Sequence, residues 1–381
     1  MAKRLANAQA NLGLSSRVVS SIDSSLYNAP FRRPLHTLAA VADQYLVKSR
    51  DFAAPVSFYR NKLHQRLDRQ IATDDVLHIH WPHGLVDLDN LDKLAKGRPV
   101  VWTLHDMAAL TGGCHYSLDC SCYLSGTGNC SGVRAPWQGA ITRARRSLSD
   151  SLHRVERLRL VSPSQWLADE ARKSDELRDL HIDVIPNPLA STTTPTMVPD
   201  KARVNLDLQP NHTVYLVSAS NLADPVKAIA DAVEAFQAAF SDSDSATLLV
   251  VGRGKLTSSR KNIRQLGYLD ATAMHRVLAA SDYQIVTSLA ENQPLAISEA
   301  QASGVSLIAR DTTGMPEHAT YDADSQLFNS IHELVEALRN TARTPRSAQA
   351  REELSSAALT RYEPAVIAQR YVDLYQSLLT K

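Results

Sequence analysis

Ser288-Leu-Ala-Glu291-Asn-Gln-Pro-Leu-Ala-Ile-Ser-Glu299-Ala-Gln-Ala-Ser-Gly304-Val-Ser-Leu-Ile308 is the stretch that decides the fold. An apolar strand over 283–287 leads into it, a helix spans 294–303, and a second strand follows over 305–309. Strand, helix and strand in that order make a βαβ unit, which needs a parallel sheet. Pro294 suits the first turn of the helix, where its missing N–H costs nothing. Glu291 lies in the loop after the strand, and Glu299 lies within the helix. Backbone donors at such a helix start can meet anionic or hydroxyl-rich groups. Two carboxylates so spaced can address different hydroxyls of one sugar ligand. The plainer reading is an acidic helix start with a solvent-facing glutamate.

The same rhythm continues outward. Strands are expected at 213–218, 246–251 and 263–266, with helices at 225–240 and 271–279. Pro364–Leu379 reads as a final amphipathic helix, and residues 190–200, rich in Thr, Ser and Pro, as a linker. In the first half a helix from Lys3 stops at Gly13, and a short strand is expected at Arg17–Ser20. A helical pattern over 34–72 breaks near Pro55. Strands at Val76–His80, Pro99–Leu104, Leu158–Val161 and His181–Ile185 alternate with helices at Asp87–Lys96, Arg143–Arg157 and Gln165–Arg178. Residues 107–139 form a long Gly- and Cys-rich loop, of the kind that is functional or tied down by specific contacts.

A chain of 381 residues suffices for two or three domains. Lys and Arg number 41 against 40 Asp and Glu, and the net charge of +1 gives no support to a nucleic-acid partner. Residues 1–190 carry 24 basic and 19 acidic side chains, the remainder 17 and 21, a mild gradient that suits two domains with different partners. No apolar run reaches membrane-spanning length, and the opening Met-Ala-Lys-Arg leads into no signal-like core. A cytoplasmic protein that can touch a membrane surface is expected. Cys114, Cys120, Cys122 and Cys130 are confined to one loop, which marks a local site rather than a disulfide framework.

Together with Gly314-Met-Pro-Glu317, the opening stretch resembles the carboxyl-terminal signature of the retaining glycosyltransferases of family four. The resemblance covers nearly the whole chain. It implies the α/β GT-B fold, two Rossmann-like domains facing across a cleft: an acceptor domain over 1–189, a nucleotide-sugar donor domain over 201–358, and a crossover helix within 359–381. That helix, with Tyr362 and Tyr375, would pack back on the first domain. By resemblance, Glu291 contacts hydroxyls of the donor sugar, Glu299 holds the ribose, and Asn292, Gln293, Pro294 and Leu295 line the donor. Lys227, after Asp224-Pro-Val, matches a lysine that neutralises the donor pyrophosphate; its point charge stabilises a phosphate leaving group. The companion arginine just upstream is missing, because Ser218-Ala-Ser-Asn-Leu222 occupies that place. Arg253 and Lys255 offer charge after another strand, either as replacements or as plain turn residues.

In the first half, Thr103-Leu-His-Asp-Met107 follows a strand, and the resemblance puts His105 near the transferred sugar and diphosphate. Asp106 orients it or contacts acceptor. His80-Trp-Pro-His83 ends the preceding strand at the same rim, and Trp81 either stacks on a sugar or anchors the core. Trp102 to Tyr116, with Asp119-Cys120 and Gly128-Asn-Cys130, resembles a bacterial subgroup similar to the colanic-acid transferase type, used for cell-surface polysaccharides. That subgroup has Cys where this chain has Thr127, and this chain adds Cys122. Cys114, Cys120, Cys122 and Cys130 are candidate ligands for a structural zinc, with His115 able to replace one. A local disulfide and reduced, packed thiols are the other readings. His80, Trp81, Asp106 and His115 are the acceptor-side candidates. Arg143, Arg145 and Arg146 face a polyanionic or lipid-phosphate acceptor, or simply solvent. GT-B catalysis requires no metal.

The family's first strand and Gly-rich loop should precede the helix that begins near Ala2. A misassigned start is favoured over a fragment or a degenerate domain. It predicts upstream genomic sequence that encodes a short apolar strand ending in glycines. The expected activity is retaining transfer of a hexose from a nucleotide-diphosphate sugar to a saccharide or lipid-linked saccharide. A GT-B phosphorylase or epimerase, and a degenerate sugar-nucleotide-binding protein without turnover, are the alternatives.

Overall fold

The computed structural model describes residues 1–20, 41, 43–57, 76–83, 85–125, 130–190, 199–343 and 346–380. They form two compact units, Met1–Pro186 with Ala365–Lys381, and Asn187–Pro364. The longer helices are α1 (Ala2–Asn11), α2 (Gln138–His153), α3 (Gln165–Lys173), α4 (Ile229–Ala239), α5 (Ala271–Ala280), α6 (Leu295–Ala302), α7 (Ile331–Arg343), α8 (Ala348–Arg361) and α9 (Pro364–Leu379).

The first unit is built on four parallel strands, β1 (Leu77–His80), β2 (Val100–Thr103), β3 (Leu158–Ser162) and β4 (Ile182–Val184), in that spatial order. Side chains alternate across a strand, so β2 sends Trp102 to one face and Val101 to the other. Trp102 and Leu160 pack with Leu148 and Leu152 of α2 and Leu167 of α3. Val101 and Val161 pack with Leu5 of α1 and with Ile367 and Tyr371 of α9. Ser164 caps α3 by accepting from the Leu167 N–H at 3.1 Å. Gly13, at φ 81°, closes α1 with its N–H on the Ala10 carbonyl.

Several expectations for this unit need correcting. Residues 17–20 form no strand; the segment is tied back to α1 by Ser16 Oγ, which donates to Gln9 Oε1 at 2.7 Å. Most of the helical pattern over 34–72 lies outside the described residues, and its described part holds the single turn Asp43–Val47. α2 starts earlier than Arg143, at Gln138, and α3 stops at Lys173 because Ser174 turns extended.

The second unit has six parallel strands: β5 (Thr213–Asn221), β6 (Ala246–Arg253), β7 (Ile263–Gly267), β8 (Tyr283–Val286), β9 (Ser306–Arg310) and β10 (Gln326–Phe328). Their spatial order is β10-β9-β8-β5-β6-β7. The central strands are buried on both faces, which is why they read as unbroken apolar runs. Tyr215 and Val217 pack with Phe236 of α4 and Leu334 of α7. Val214 and Leu216 pack with Val277 and Leu278 of α5. The chain builds outward from β5 through β6 and β7, then jumps to β8 on the other side. The winding therefore reverses between β5 and β8, and their carboxyl ends flank a topological switch point.

The unit boundaries also differ from 189 and 359. Asn187 Nδ2 donates to the Gln293 carbonyl at 3.2 Å, and Leu189 packs with Ala302, Ala358 and Tyr362. Residues 187–189 and 359–364 thus belong to the second unit. Tyr362 follows α8, with its hydroxyl 2.9 Å from that of Tyr321, and does not lie in the returning helix. Of the expected linker, 191–198 lie outside the described residues, and 199–200 open the short helix Pro199–Asn205.

Candidate active site

In the second unit, Lys227 follows β5 and Glu291 follows β8, one on each side of the switch point. Lys227 Nζ donates to Glu291 Oε1, and Ser288 Oγ donates to the same oxygen at 2.9 Å. Glu291 is only 6% exposed, so its charge depends on these partners. Its backbone is pinned as well. Thr313 Oγ1 accepts from the Glu291 N–H at 2.9 Å and donates to the Glu291 carbonyl at 2.7 Å, and the Gly314 N–H donates to that carbonyl at 3.0 Å. Gly314 is needed here for close approach, since a Cβ would lie 2.0 Å from the Asn292 carbonyl oxygen. The two loops are stitched together by the Leu289 N–H on the Val226 carbonyl (2.8 Å) and Thr287 Oγ1 on the Lys227 carbonyl (2.9 Å).

The other donor-side residues separate into two groups. Asn292 and Gln293 are buried beside Glu291, and the Gln293 side chain accepts from the Asn187 N–H, so Gln293 braces the loop. Pro294 caps α6 in extended conformation, Leu295 opens the helix, and Glu299 lies about one turn further along, half-buried. Arg253 and Lys255 are exposed. The Arg253 guanidinium lies 4.1 Å over the Tyr268 ring, and nothing draws it to the Lys227–Glu291 pair.

The first unit carries a cluster of aromatic and imidazole rings at the ends of β1 and β2. His80 Nδ1 lies 2.9 Å from His105 Nε2. Trp81 stacks on His105 with centroids 5.6 Å apart and planes 7° apart. Trp81 is 50% exposed, so it is not a core anchor. Its φ of 45° is left-handed, a strained backbone held in place to present the ring. His83 stacks on His115 at 4.9 Å. His115 Nδ1 lies 2.7 Å from Asp106 Oδ2, and its Nε2 lies 3.0 Å from Ser57 Oγ. Asp106 Oδ1 accepts from the Ala108 N–H at 2.9 Å. Asp106 therefore orients His115 rather than His105. Beneath the cluster, His78 meets the Tyr375 hydroxyl at 2.6 Å and Thr103 Oγ1 at 2.8 Å.

Burial keeps His78, His80, His83 and His105 neutral. It pushes His78 and His105 well below the usual histidine range, with neighbouring imidazoles adding to the effect. Burial pushes His80 down to about 3 and His83 down to about 4. A neutral imidazole both donates and accepts, as a hydroxyl-rich ligand requires. Sequence reasoning missed His78 as part of this cluster. Its signal was present, since His78 and His80 are two apart on a strand and share a face. Ser57, Ser288 and Thr313 carried no local signal.

All four cysteines are free thiols. Cys114 Sγ lies 3.7 Å from Cys130 Sγ, and Cys120 Sγ lies 3.0 Å from Cys122 Sγ. His115 does not join them, since both its nitrogens are engaged elsewhere. Arg145 is 4% exposed and cannot receive an acceptor: its guanidinium donates to the Cys122 carbonyl (3.0 Å), the Tyr123 carbonyl (2.6 Å) and Glu176. Arg143 and Arg146 are exposed. Among the described residues, no helix is long and apolar enough to cross a membrane.

Residues 1–191 match the family described as Glycosyltransferase Family 4, and residues 213–343 match Glycosyl transferases group 1. No curated protein matches the sequence. Among solved structures, Anabaena Alr3699/HepE in complex with UDP aligns with a TM-score of 0.60 at 19% identity, over 83% of this chain and 82% of that one. The same protein in complex with UDP-glucose gives 0.57 at 18%, over 83% and 82%. The UDP-forming α,α-trehalose-phosphate synthase of Burkholderia xenovorans gives 0.57 at 14%, over 84% and 77%.

Proposed function

Since the chain belongs to glycosyltransferase family 4 and is a glycosyltransferase of GT-B fold, we propose that it transfers a hexose, with retention, from a nucleotide-diphosphate sugar to a saccharide or lipid-linked saccharide in cell-surface polysaccharide synthesis. The observation that carries this reading is the Lys227–Glu291 pair at the switch point of the second sheet. A lysine there meets the pyrophosphate and stabilises the diphosphate as it leaves. Glu291, its backbone fixed by Thr313, accepts hydrogen bonds from the sugar hydroxyls. Asn292 and Leu295 at the start of α6 line the donor, and Glu299 takes the ribose hydroxyls. The donor class is supported by the UDP-glucose complex of the Anabaena protein.

No side chain is assigned as a covalent nucleophile. The acceptor hydroxyl attacks the anomeric carbon on the face from which the diphosphate departs. The carbon–oxygen bond to the diphosphate breaks as the new one forms, and the hydroxyl proton passes to the departing diphosphate oxygen. Neutral His80 and His105 exchange hydrogen bonds with sugar hydroxyls, and the exposed Trp81 ring suits a sugar face. Work from the cytoplasmic face of the inner membrane, in peripheral contact with it, accords with a lipid-linked acceptor.

Nucleotide release from candidate donors by the full chain tests the proposal. Lys227→Ala and Glu291→Gln should both slow release sharply, and unchanged rates in both would sink the site assignment. Phosphate-dependent turnover would favour a phosphorylase, free donor interconversion an epimerase, and binding without turnover a degenerate partner protein.

A further inference from the structure

We propose that Cys114, Cys120, Cys122 and Cys130 together bind one zinc ion, a closed structural site that fixes the loop carrying His115. The inference is independent of the transfer reaction. It rests on the convergence of three sulfurs, with the fourth, Cys114, against Cys130.

A tetrahedral zinc with Zn–S bonds of about 2.3 Å sets its sulfurs about 3.8 Å apart. Cys114 and Cys130 are 3.7 Å apart. The sulfurs of Cys120, Cys122 and Cys130 lie within 4.8 Å of one another, and Cys120 and Cys122 approach to 3.0 Å. Cys114 joins that trio through Cys130, and this spacing leaves room for one ion rather than a cluster of several irons. All-sulfur tetrahedral sites suit zinc.

The surroundings support a metal-bound sulfur. A Cβ at Gly132 would lie 2.9 Å from Cys114 Sγ, so only glycine lets the two ends of the loop close on each other. α2 grips both ends of the set. Gln138 Oε1 accepts from the Cys130 N–H at 2.8 Å, and Arg145 holds the Cys122 carbonyl at 3.0 Å. Four protein ligands leave no open coordination position, so this ion orders the loop and activates no water. His115 follows Cys114 directly, so the ion steadies the imidazole that faces Asp106.

The test is the metal content of the full chain, purified under reducing conditions without chelator. Native mass spectrometry and elemental analysis should find one zinc per chain, released when a mercurial titrates the thiols. Cys130→Ser should lose the ion, and His115→Ala should keep it. Should Cys130→Ser fail to fold, the wild-type stoichiometry decides alone. Iron in place of zinc, a mass deficit from a disulfide, or four reactive thiols with no metal would each overturn the proposal.

Discussion

The polar clusters of the two units are built by opposite means. At the switch point of the second, a lysine is paired with a buried glutamate, and the glutamate backbone is bolted in place by Thr313 and Gly314. At the strand ends of the first, the polar groups are imidazoles that burial has left neutral, stacked with a strained tryptophan. The contrast follows from the task proposed for each. A departing diphosphate gathers negative charge and calls for a cation already in place. A saccharide hydroxyl gathers little charge and calls for groups that both donate and accept.

The largest effect should come from removing the fixed cation. Lys227→Ala is expected to lower kcat about 10²–10³-fold, the scale for losing one transition-state charge donor, read by nucleotide release. A small loss would erase the contrast, because the charged site would then be as dispensable as a neutral one.

Arg145→Met should follow. It frees two carbonyls and strands Glu176, and breaking a buried pair costs about 3–5 kcal/mol. Denaturant unfolding should register that loss. Arg143→Ala and Arg146→Ala, at exposed positions, should stay within about 0.5 kcal/mol of wild type.

Gly314→Ala should destabilise the second unit by about 1–3 kcal/mol, the usual cost of overpacking, and weaken donor binding with it. Thermal melting with and without nucleotide reads both effects.

Acid should separate the units. His80 and His83 remain neutral in the folded chain down to about 3 and about 4, whereas unfolded imidazoles take up protons near 6.5. Below pH 6.5 the unfolded state therefore binds more protons, and stability falls with pH until the folded groups also titrate. His78 and His105 push in the same direction. The second unit has His318, pushed down to about 3, and the less buried His212. The first unit should lose protection against hydrogen exchange earlier between pH 6.5 and 4. Simultaneous loss would mean that the imidazole cluster does not set acid sensitivity.

The smallest effect is expected at Arg253→Ala. Its guanidinium is exposed over Tyr268, so donor KM should move only a few-fold. A loss as large as that at Lys227 would make it the missing arginine of the phosphate clamp.

Legibility in the sequence varied with the physics of each element. β5, β6 and β8 are apolar on both faces, and α9 runs from Pro364 to Leu379 as its pattern indicates. β10, α7 and α8 drew no expectation. β10 is an edge strand of three residues, and α8 has only Leu354 and Leu359 as large apolar side chains, too few to mark a face. Glu291 and Lys227 were legible because a short motif carries each. Thr313, Ser288 and Ser57 were not, because hydroxyls acquire their roles from partners distant in the chain. Arg145 misled in the other direction. A basic residue on a helix suggests solvent or an anion, yet two carbonyls and a glutamate from other segments enclose it.

The return of α9 also sets an order of events during synthesis. The second unit is continuous, from 187 to 364, and can complete itself as soon as it clears the ribosome. The first cannot, because Val101 and Val161 find their covering Ile367 and Tyr371 only after the whole second unit has been made. At about 5–20 residues per second, that leaves an apolar sheet face uncovered for roughly 10–40 s. A chain halted between the units would therefore lack the Ile367 and Tyr371 that cover Val101 and Val161, and the Tyr375 hydroxyl that His78 meets.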